Sequence, residues 1–169
     1  MSSPTSPDVP VPVDPLVRLV SIEEIRRLKA RYFRCMDTKD WVGFAAVFTP
    51  DARMDVSGEL SDASIETDEA GDEGITRGSE AIAAFVRAAV DDVTTVHHGH
   101  MSEIDVTSPT TATAVWAMED VLRWPEGAPI GSLHGYGHYH ETYANVDGVW
   151  LIASTVLTRL RVDLEMRDT

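Results

Sequence analysis

The second half of the chain has a two-residue hydrophobic period, and this period decides the fold. It runs through TTVHHGHMSEIDV (94–106), TATAVWAMEDVLRW (111–124), LHGYGHYHETYAN (133–145) and residues 149–163. Alternation of polar and apolar side chains is typical of strands with one buried face. The pair Asp147-Gly148, between the last two segments, predicts a tight hairpin. We therefore expect three or four long antiparallel strands.

The first half of the chain has a helical period instead. Apolar side chains recur three or four residues apart at Ile22, Ile25, Leu28, Tyr32 and Cys35, which indicates one buried helix face. Ser21 and Glu24 form a capping box, so this helix is expected to begin at Ser21.

Shorter elements are expected between the two halves. Asp40 can cap a second, short helix that ends at Pro50 and carries Trp41, Phe44, Val47 and Phe48. A short strand at 52–56, an acidic and glycine-rich loop at 57–78 and a third helix from Ser79 are expected to follow.

This order of elements predicts an α+β fold. We expect a cone-shaped α+β barrel, in which a curved mixed or antiparallel sheet wraps around the N-terminal helices and leaves an apolar interior open at one end. Residues 1–14 contain four of the nine prolines and few side chains able to build a core. We therefore expect a disordered tail over 1–14 and a single domain over 15–169.

Composition excludes several functional classes. A formal net charge of −14 argues against nucleic acid, whose phosphates require clustered lysine and arginine. No apolar run approaches the roughly 20 residues of a membrane span, and the N-terminus lacks the pattern of a signal peptide. We expect a cytoplasmic protein with neither a nucleic-acid nor a membrane partner. Cys35 is the single cysteine and lies among apolar residues, which favours a buried structural thiol.

A carboxylate and an imidazole are the candidate chemical groups. Asp37 ends the first helix and His97 lies on the first long strand. With an apolar pocket around them, such a pair forms a general-base apparatus that needs no cofactor. An acid at a helix C-terminus opposes the helix dipole, which favours a functional role over a solvated one.

Three histidines of the first long strand compete for the role of base. Strict alternation groups His98 and His100 with the apolar side chains of this strand and places His97 on the opposite face. A bulge at Gly99 would reset this alternation. His97 is preferred, with His98 and His100 as alternatives.

The chain resembles a known superfamily over residues 20–163. The resemblance is carried by Tyr32, Asp37, Asp40-Trp41, Phe48, Asp51-Ala52, Val96-His97, Gly137, Tyr139, Tyr143, Asp147-Gly148, Trp150 and Thr158-Arg159. These residues are similar to those of the nuclear transport factor 2-like superfamily, in its SnoaL-like branch. That branch includes polyketide cyclases, scytalone dehydratase, bile acid 7α-dehydratase and hexachlorocyclohexane dehydrochlorinase. Because one fold hosts many reactions, the resemblance implies the fold more strongly than the chemistry.

The resemblance implies roles for five residues. His97 matches the catalytic histidine, and Asp37 matches the acid that orients it. Tyr32 matches a pocket tyrosine of the dehydratases, and Arg159 falls near an arginine that holds a polar substrate group. Asp120 falls on a strand that supplies another polar pocket residue, although a one-residue slip would give Glu119 this place.

Further pocket contacts are expected from large side chains nearby. Our candidates for substrate binding are Trp41, Phe48, His100, Trp116 and Met118, in addition to Tyr32, Asp120 and Arg159. Residues such as Trp41 and Phe48 belong more often to the core than to a ligand site, and Arg159 is also consistent with an exposed salt bridge.

The histidines of the later strands suggest a metal site as an alternative. His134, His138 and His140 share one strand face, a spacing that suits a metal, and His98 and His100 could add ligands. No carboxylate stands at the spacing of a cupin-like motif, and the resembled enzymes work without metal. We therefore expect neither a metal nor another cofactor.

The sequence thus predicts a cofactor-independent lyase that acts by dehydratase-type elimination, with cyclisation or isomerisation as second choices. The expected substrate is a small, hydrophobic, oxygenated molecule that is polyketide-, steroid- or terpenoid-like. The alternative is a non-catalytic binding or assembly domain of the same fold. We also expect a homo-oligomer, a trimer ahead of a dimer, because the resembled dehydratases are trimers. We also expect apolar side chains on the outer sheet face, at Tyr139, Tyr143, Leu151 and Leu157, which is more apolar area than a soluble monomer usually leaves exposed.

Overall fold

The computed structural model describes residues 13–57 and 74–167. The predicted tail, except for Val13 and Asp14, and most of the predicted acidic loop lie outside the described residues. The elements are α1 (Pro15–Asp37), α2 (Trp41–Ala45), β1 (Phe48–Asp55), β2 (Ile75–Arg77), α3 (Ser79–Val90), β3 (Thr94–Val106), β4 (Thr111–Arg123), β5 (Ile130–Val146) and β6 (Val149–Met166).

The strands form one six-stranded sheet in the order β2-β1-β6-β5-β4-β3. Every neighbouring pair is antiparallel except β1 and β6, which run parallel. The four long strands β3 to β6 therefore follow one another in sequence and in space. The predicted α+β class with a mixed sheet is confirmed.

The helices cover one face of this sheet and form the core with it. The buried side chains of the core include Ile25, Leu28 and Phe33 from α1, Phe44 from α2, Ile82 from α3, and Met118, Tyr139 and Ile152 from the sheet. Burial of this apolar area removes roughly 25 cal/mol per Å² from the free energy of the folded chain. We call the helix-covered face the inner face of the sheet.

The first helix begins six residues earlier than the sequence predicted. Asp14, not Ser21, is its N-cap, and the Asp14 carboxylate accepts hydrogen bonds from the backbone N–H groups of Leu16 (2.8 Å) and Val17 (3.2 Å). Pro15 at the first helical position needs no such acceptor because it has no N–H. Ser21 is buried inside the helix.

The second helix is shorter than expected, the first strand is longer, and one further strand was not expected. The helix is capped by Asp40, as predicted, but ends at Ala45. Phe48 begins β1. Strand pairing starts this early because the backbone N–H of Ile152 donates to the Val47 carbonyl at 2.9 Å. Within the segment predicted as a loop, residues 75–77 form β2 against the end of β1.

The later elements agree with the sequence. α3 begins at Ser79, and β3 has the predicted bounds. Asp147 and Gly148 have φ angles of 51° and 86°, and two successive positive φ angles are typical of the tightest hairpin turns.

The apolar residues assigned to the outer face were placed wrongly. Tyr139, Tyr143 and Leu157 are 5%, 2% and 4% exposed and belong to the core. Their register explains this, because Tyr139 lies opposite Trp116, which also faces the helices. The expected homo-oligomer therefore loses this support and stays a prediction. No helix among residues 13–57 and 74–167 is long and apolar enough to cross a membrane.

Candidate active site

A cavity of about 230 Å³ lies between the helices and the inner sheet face. Its polar lining comes from Tyr32, His97, Asp120, Tyr139 and Arg159. Its apolar lining includes Met36, Met54, Phe85, Val86, Leu122 and Leu157. The cavity thus combines a few polar side chains with apolar walls, which is the usual composition of a small-molecule site.

Asp37 and His97 are in direct contact at the wall of this cavity. The Asp37 Oδ1 atom lies 2.6 Å from the His97 Nδ1 atom. The other carboxylate oxygen, Oδ2, accepts the backbone N–H of His97 at 2.9 Å. An ionised carboxylate can only accept hydrogen bonds, so Nδ1 carries the proton and Nε2 keeps its lone pair. The histidine is therefore held in the tautomer that a base requires.

Two further side chains, both absent from the sequence prediction, support Asp37. Thr95 donates its hydroxyl to Asp37 Oδ1 at 2.9 Å, and Lys39 donates to the Thr95 hydroxyl at 3.1 Å. Burial acts to raise the pKa of Asp37, but the hydrogen bonds from His97 and Thr95 outweigh it and hold this pKa below its ordinary value. Asp37 is therefore ionised at neutral pH.

A bulge in β3 decides which histidine faces the cavity. The pairing of β3 with β4 shifts between Gly99 and Ser102. This shift resets the alternation of side chains, so His97 before the bulge and the apolar residues after it lie on the same, inner face. His98 and His100 lie outside, with side chains 54% exposed. A side chain at Gly99 would stand 2.7 Å from the Phe33 ring. Glycine is thus needed there by the close approach of α1.

An ion pair stands beside the histidine. Arg159 donates from Nη1 to Asp120 Oδ1 at 2.9 Å and from Nη2 to Asp120 Oδ2 at 2.8 Å. This two-point geometry is the strongest form of an arginine–carboxylate contact. Asp120 is the cross-strand neighbour of His97. The pair needs the glycine on the next strand, because a side chain at Gly135 would overlap both groups.

Two tyrosines complete the polar lining. Tyr32 and Tyr139 share a side-chain hydrogen bond, and their ring centroids lie 5.9 Å apart. Burial, followed by the neighbouring Tyr32 and Asp120, holds the pKa of Tyr139 well above its ordinary value. Its hydroxyl group is therefore a hydrogen-bond donor and not a base.

Five predicted pocket residues do not line the cavity. Trp41 donates its indole N–H to Asp91 at 2.8 Å near the surface. Phe48 packs behind Tyr32, and the Trp116 indole donates to Tyr143 at 2.9 Å. His100 lies on the outer face, while Met118 is buried in the core and its sulfur accepts a contact from Arg159 Nη1 at 3.8 Å. Large side chains at these positions build the core or the surface, which periodicity alone cannot separate from a pocket wall.

The remaining histidines lie on the outer face. His134 contacts Glu119 at 3.2 Å, and the same carboxylate lies 3.4 Å from His98. The rings of His138 and His140 are 6.3 Å apart. Within the part of the chain that the structure describes, no three His, Cys, Asp or Glu side chains are arranged to hold a metal ion. Glu119, the alternative to Asp120, contacts these outer-face histidines and so does not face the cavity.

A buried ion pair next to the cavity was also missed. Lys29 and Glu141 are in contact at 2.6 Å, with side chains 1% and 0% exposed. Lys29 lies on the buried helix stripe, four residues after Ile25 and three before Tyr32. Glu141 alternates in phase with Tyr139 and Tyr143. These spacings were the available signal, but charged residues are usually exposed.

Several larger depressions lie elsewhere on the surface, two of them of about 700 and 570 Å³. The first is lined by residues such as Arg18, Asp105 and His140, and the second by residues such as Arg123 and Glu165. Neither contains Asp37 or His97. The smaller cavity is the better candidate site because the oriented imidazole of His97 lines it.

Comparison with known proteins agrees with this geometry. The SnoaL-like domain family matches residues 17–156. The chain belongs to this family. The protein named "Probable cyclase FGR4" from Gibberella zeae is 30% identical over 139 residues, which cover 80% of this chain and 89% of that protein.

Solved structures of similar proteins share the fold. A hexachlorocyclohexane dehydrochlorinase, LinA Type2, superposes with a TM-score of 0.74 at 18% identity, over 90% of this chain and 93% of that one. A scytalone dehydratase-like protein from Novosphingobium aromaticivorans gives a TM-score of 0.71 at 20% identity, over 89% and 91%. At these identities, the two superpositions show that the chain shares the fold of these proteins.

Proposed function

We propose that this protein is a cofactor-independent lyase that eliminates water from a small, hydrophobic, oxygenated molecule. The observation that carries the proposal is the contact of 2.6 Å between Asp37 and His97 at the wall of an apolar cavity. A purely binding cavity has no need of a carboxylate that fixes the tautomer of a lining histidine. Cyclisation or double-bond isomerisation remain second choices because they begin with the same proton transfer.

In the first step, His97 Nε2 removes a proton from a carbon next to a carbonyl group. The electron pair of the C–H bond moves onto the carbonyl oxygen and forms an enolate. The imidazolium keeps its Nδ1–H bond to Asp37, whose negative charge stabilises it. Asp37 itself is not protonated in this step.

In the second step, the enolate expels a hydroxyl group from the β-carbon. A carbon–carbon double bond forms, the C–O bond breaks, and the proton held by His97 is returned to the leaving oxygen, so that water departs. His97 thus acts first as base and then as acid, and the site needs no net proton from outside.

The neighbouring polar groups would stabilise the enolate oxygen. Tyr32 and Tyr139 line the cavity as a hydrogen-bonded pair. One of their two hydroxyl protons lies within the pair and the other can be donated to the enolate, while Arg159 brings a positive charge. The arginine is neutralised by Asp120 at two points, which favours a neutral substrate over a carboxylate. A cavity of about 230 Å³ favours a molecule of one or two fused rings, or a chain of similar size.

The relatives fit this proposal chemically. A cyclase, a dehydratase and a dehydrochlorinase are named among them, and each reaction can begin with removal of a proton from carbon. A general base is therefore what these proteins and this one would have in common, more than any particular substrate.

The proposal can be tested with a panel of β-hydroxy ketones, by following the ultraviolet absorbance of the conjugated enone product. We expect turnover with wild-type protein and a loss of at least about 10²-fold in His97→Ala. His98→Ala is the matched control, since this neighbouring histidine lies on the outer face. Equal turnover in all three proteins would contradict the proposal, and tight binding without turnover would favour the non-catalytic alternative.

A further inference from the structure

A buried lysine lies directly behind the cavity, and the proposed reaction does not use it. The Lys29 Nζ atom is 2.6 Å from Glu141 Oε1, and both side chains are excluded from solvent. Removing two charges from water is costly, and the attraction between them often does no more than offset this cost. The position of this pair therefore calls for an explanation other than stability.

The carboxylate of this pair is held firmly. Besides Lys29, Glu141 accepts the hydroxyl groups of Thr155, at 3.1 Å, and of Tyr143. Tyr143 in turn accepts the indole N–H of Trp116 at 2.9 Å. Because Thr155 and Tyr143 hold Glu141 in place, the Lys29 group that Glu141 binds is fixed as well.

The ammonium group faces the aromatic wall of the site. The Lys29 Nζ atom lies 3.9 Å from the ring centroid of Tyr32, 3.7 Å from that of Tyr139 and 4.8 Å from that of Phe33. Tyr32 and Tyr139 line the cavity. The Phe33 ring stacks on His97, with centroids 6.2 Å apart and planes at 12°. All three rings that the cation touches therefore border the proposed chemistry.

We infer that Lys29 is a positioning residue that acts through Tyr32 and Tyr139. A cation on the face of a phenol ring attracts its π electrons, which makes the hydroxyl group a stronger donor toward negative charge on a bound molecule. Glu141 holds the lysine in place through the contact of 2.6 Å and balances its charge. This inference rests on the proposed function, since the charge to be stabilised is that of the enolate oxygen.

Burial shifts the pKa values of two groups in this cluster. It lowers the pKa of Lys29, and the contact with Glu141 opposes this effect. The raised pKa of Tyr139 keeps its proton in place. The cation thus polarises hydroxyl groups that remain intact.

The inference can be tested by calorimetric binding of two probes, without a known substrate. 4-Nitrophenolate carries an oxyanion, while 4-nitrotoluene has nearly the same shape and no charge. The test variant is Lys29→Met/Glu141→Gln, which removes both charges together and so avoids an unpaired buried ion. Thr155→Val is the control, because it removes one hydrogen bond of the network and keeps the cation.

We expect the double variant to bind 4-nitrophenolate roughly tenfold more weakly, a change of about 1.4 kcal/mol. Its affinity for 4-nitrotoluene should stay near that of wild type, and Thr155→Val should keep both affinities. An equal loss for both probes, an equal effect of Thr155→Val, or no binding of 4-nitrophenolate by wild type would overturn the inference. Because binding and not turnover is measured, a selective loss of the anion would support Lys29 even if no elimination were found.

Discussion

The carboxylate of Asp37 holds His97 at two points, through the ring Nδ1 at 2.6 Å and through the backbone N–H at 2.9 Å. Two contacts from one carboxylate fix both the rotation of the imidazole and the position of the strand that carries it. The imidazole is therefore oriented before any substrate binds, and such pre-organisation would lower the cost of the proposed proton transfer.

Asp37 should make the stability of the fold sensitive to acid. Its pKa is lowered in the folded chain, so its contribution is fully present above the ordinary aspartate pKa of about 3.9. The contribution is lost as the pH falls through the lowered value. The free energy of unfolding in urea should therefore favour wild type over Asp37→Asn at about pH 7 and much less at about pH 2.

Asp51→Asn provides the control for this experiment, since Asp51 is an exposed carboxylate on β1. A difference between wild type and Asp37→Asn that did not shrink in acid would show that the hydrogen bonds from His97 and Thr95 do not stabilise the ionised form.

The ion pair beside His97 should depend on the absence of a side chain at position 135. In Gly135→Ala the new Cβ would overlap both Asp120 and Arg159, so the pair must move out of the cavity wall. We expect turnover to fall by roughly tenfold or more, because small misplacements of site groups are costly.

Gly131→Ala is the matched change on the same strand. The added Cβ would stand 3.4 Å from the Glu165 carbonyl oxygen, close to ordinary contact, and activity should be nearly unchanged. Equal kinetics in the two alanine variants would argue that the placement of Asp120 and Arg159 does not matter for the reaction.

The Lys29–Glu141 pair should show a strong coupling in stability. Lys29→Met alone leaves Glu141 charged and buried, which should cost about 3–5 kcal/mol of the free energy of unfolding. Lys29→Met/Glu141→Gln should recover most of this loss, as measured by urea denaturation at neutral pH. If the losses of Lys29→Met and Glu141→Gln added up to the loss of the double variant, the two side chains would not act as a pair.

The assembly state remains a prediction based on resemblance. We expect a homo-oligomer, with a trimer ahead of a dimer, and light scattering coupled to size exclusion measures this directly. Several exposed apolar side chains lie at the start of α1 and the end of β6, among them Leu16, Leu19, Leu160 and Leu164. A monomer at micromolar concentration would contradict the expectation.

The sequence predicted the elements whose signals are local. The bounds of β3, the start of α3 and the hairpin at Asp147-Gly148 follow from periodicity and turn chemistry, and they were found. The start of α1 was missed because Ser21 and Glu24 imitate a cap within a helix that Asp14 begins. Local signals identify an element well but compete with one another at its ends.

The site was predictable only in part, since its geometry depends on contacts between distant segments. The face on which His97 lies is set by the bulge after Gly99, whose extent the sequence does not specify. Lys29 and Glu141 were overlooked because each charge is tolerable in the interior only with its partner, 112 residues away.

The most direct test of the central claim is proton exchange on carbon, which requires no knowledge of the natural substrate. The bicyclic ketone 2-tetralone can be incubated with the protein in heavy water, and deuterium uptake next to its carbonyl group followed by NMR. We predict that wild type accelerates exchange over buffer, that His97→Ala reduces this acceleration by at least about 10²-fold, and that Asp37→Asn reduces it while leaving the affinity for the ketone nearly unchanged. Exchange by His97→Ala at the wild-type rate would contradict the assignment of His97 as the base.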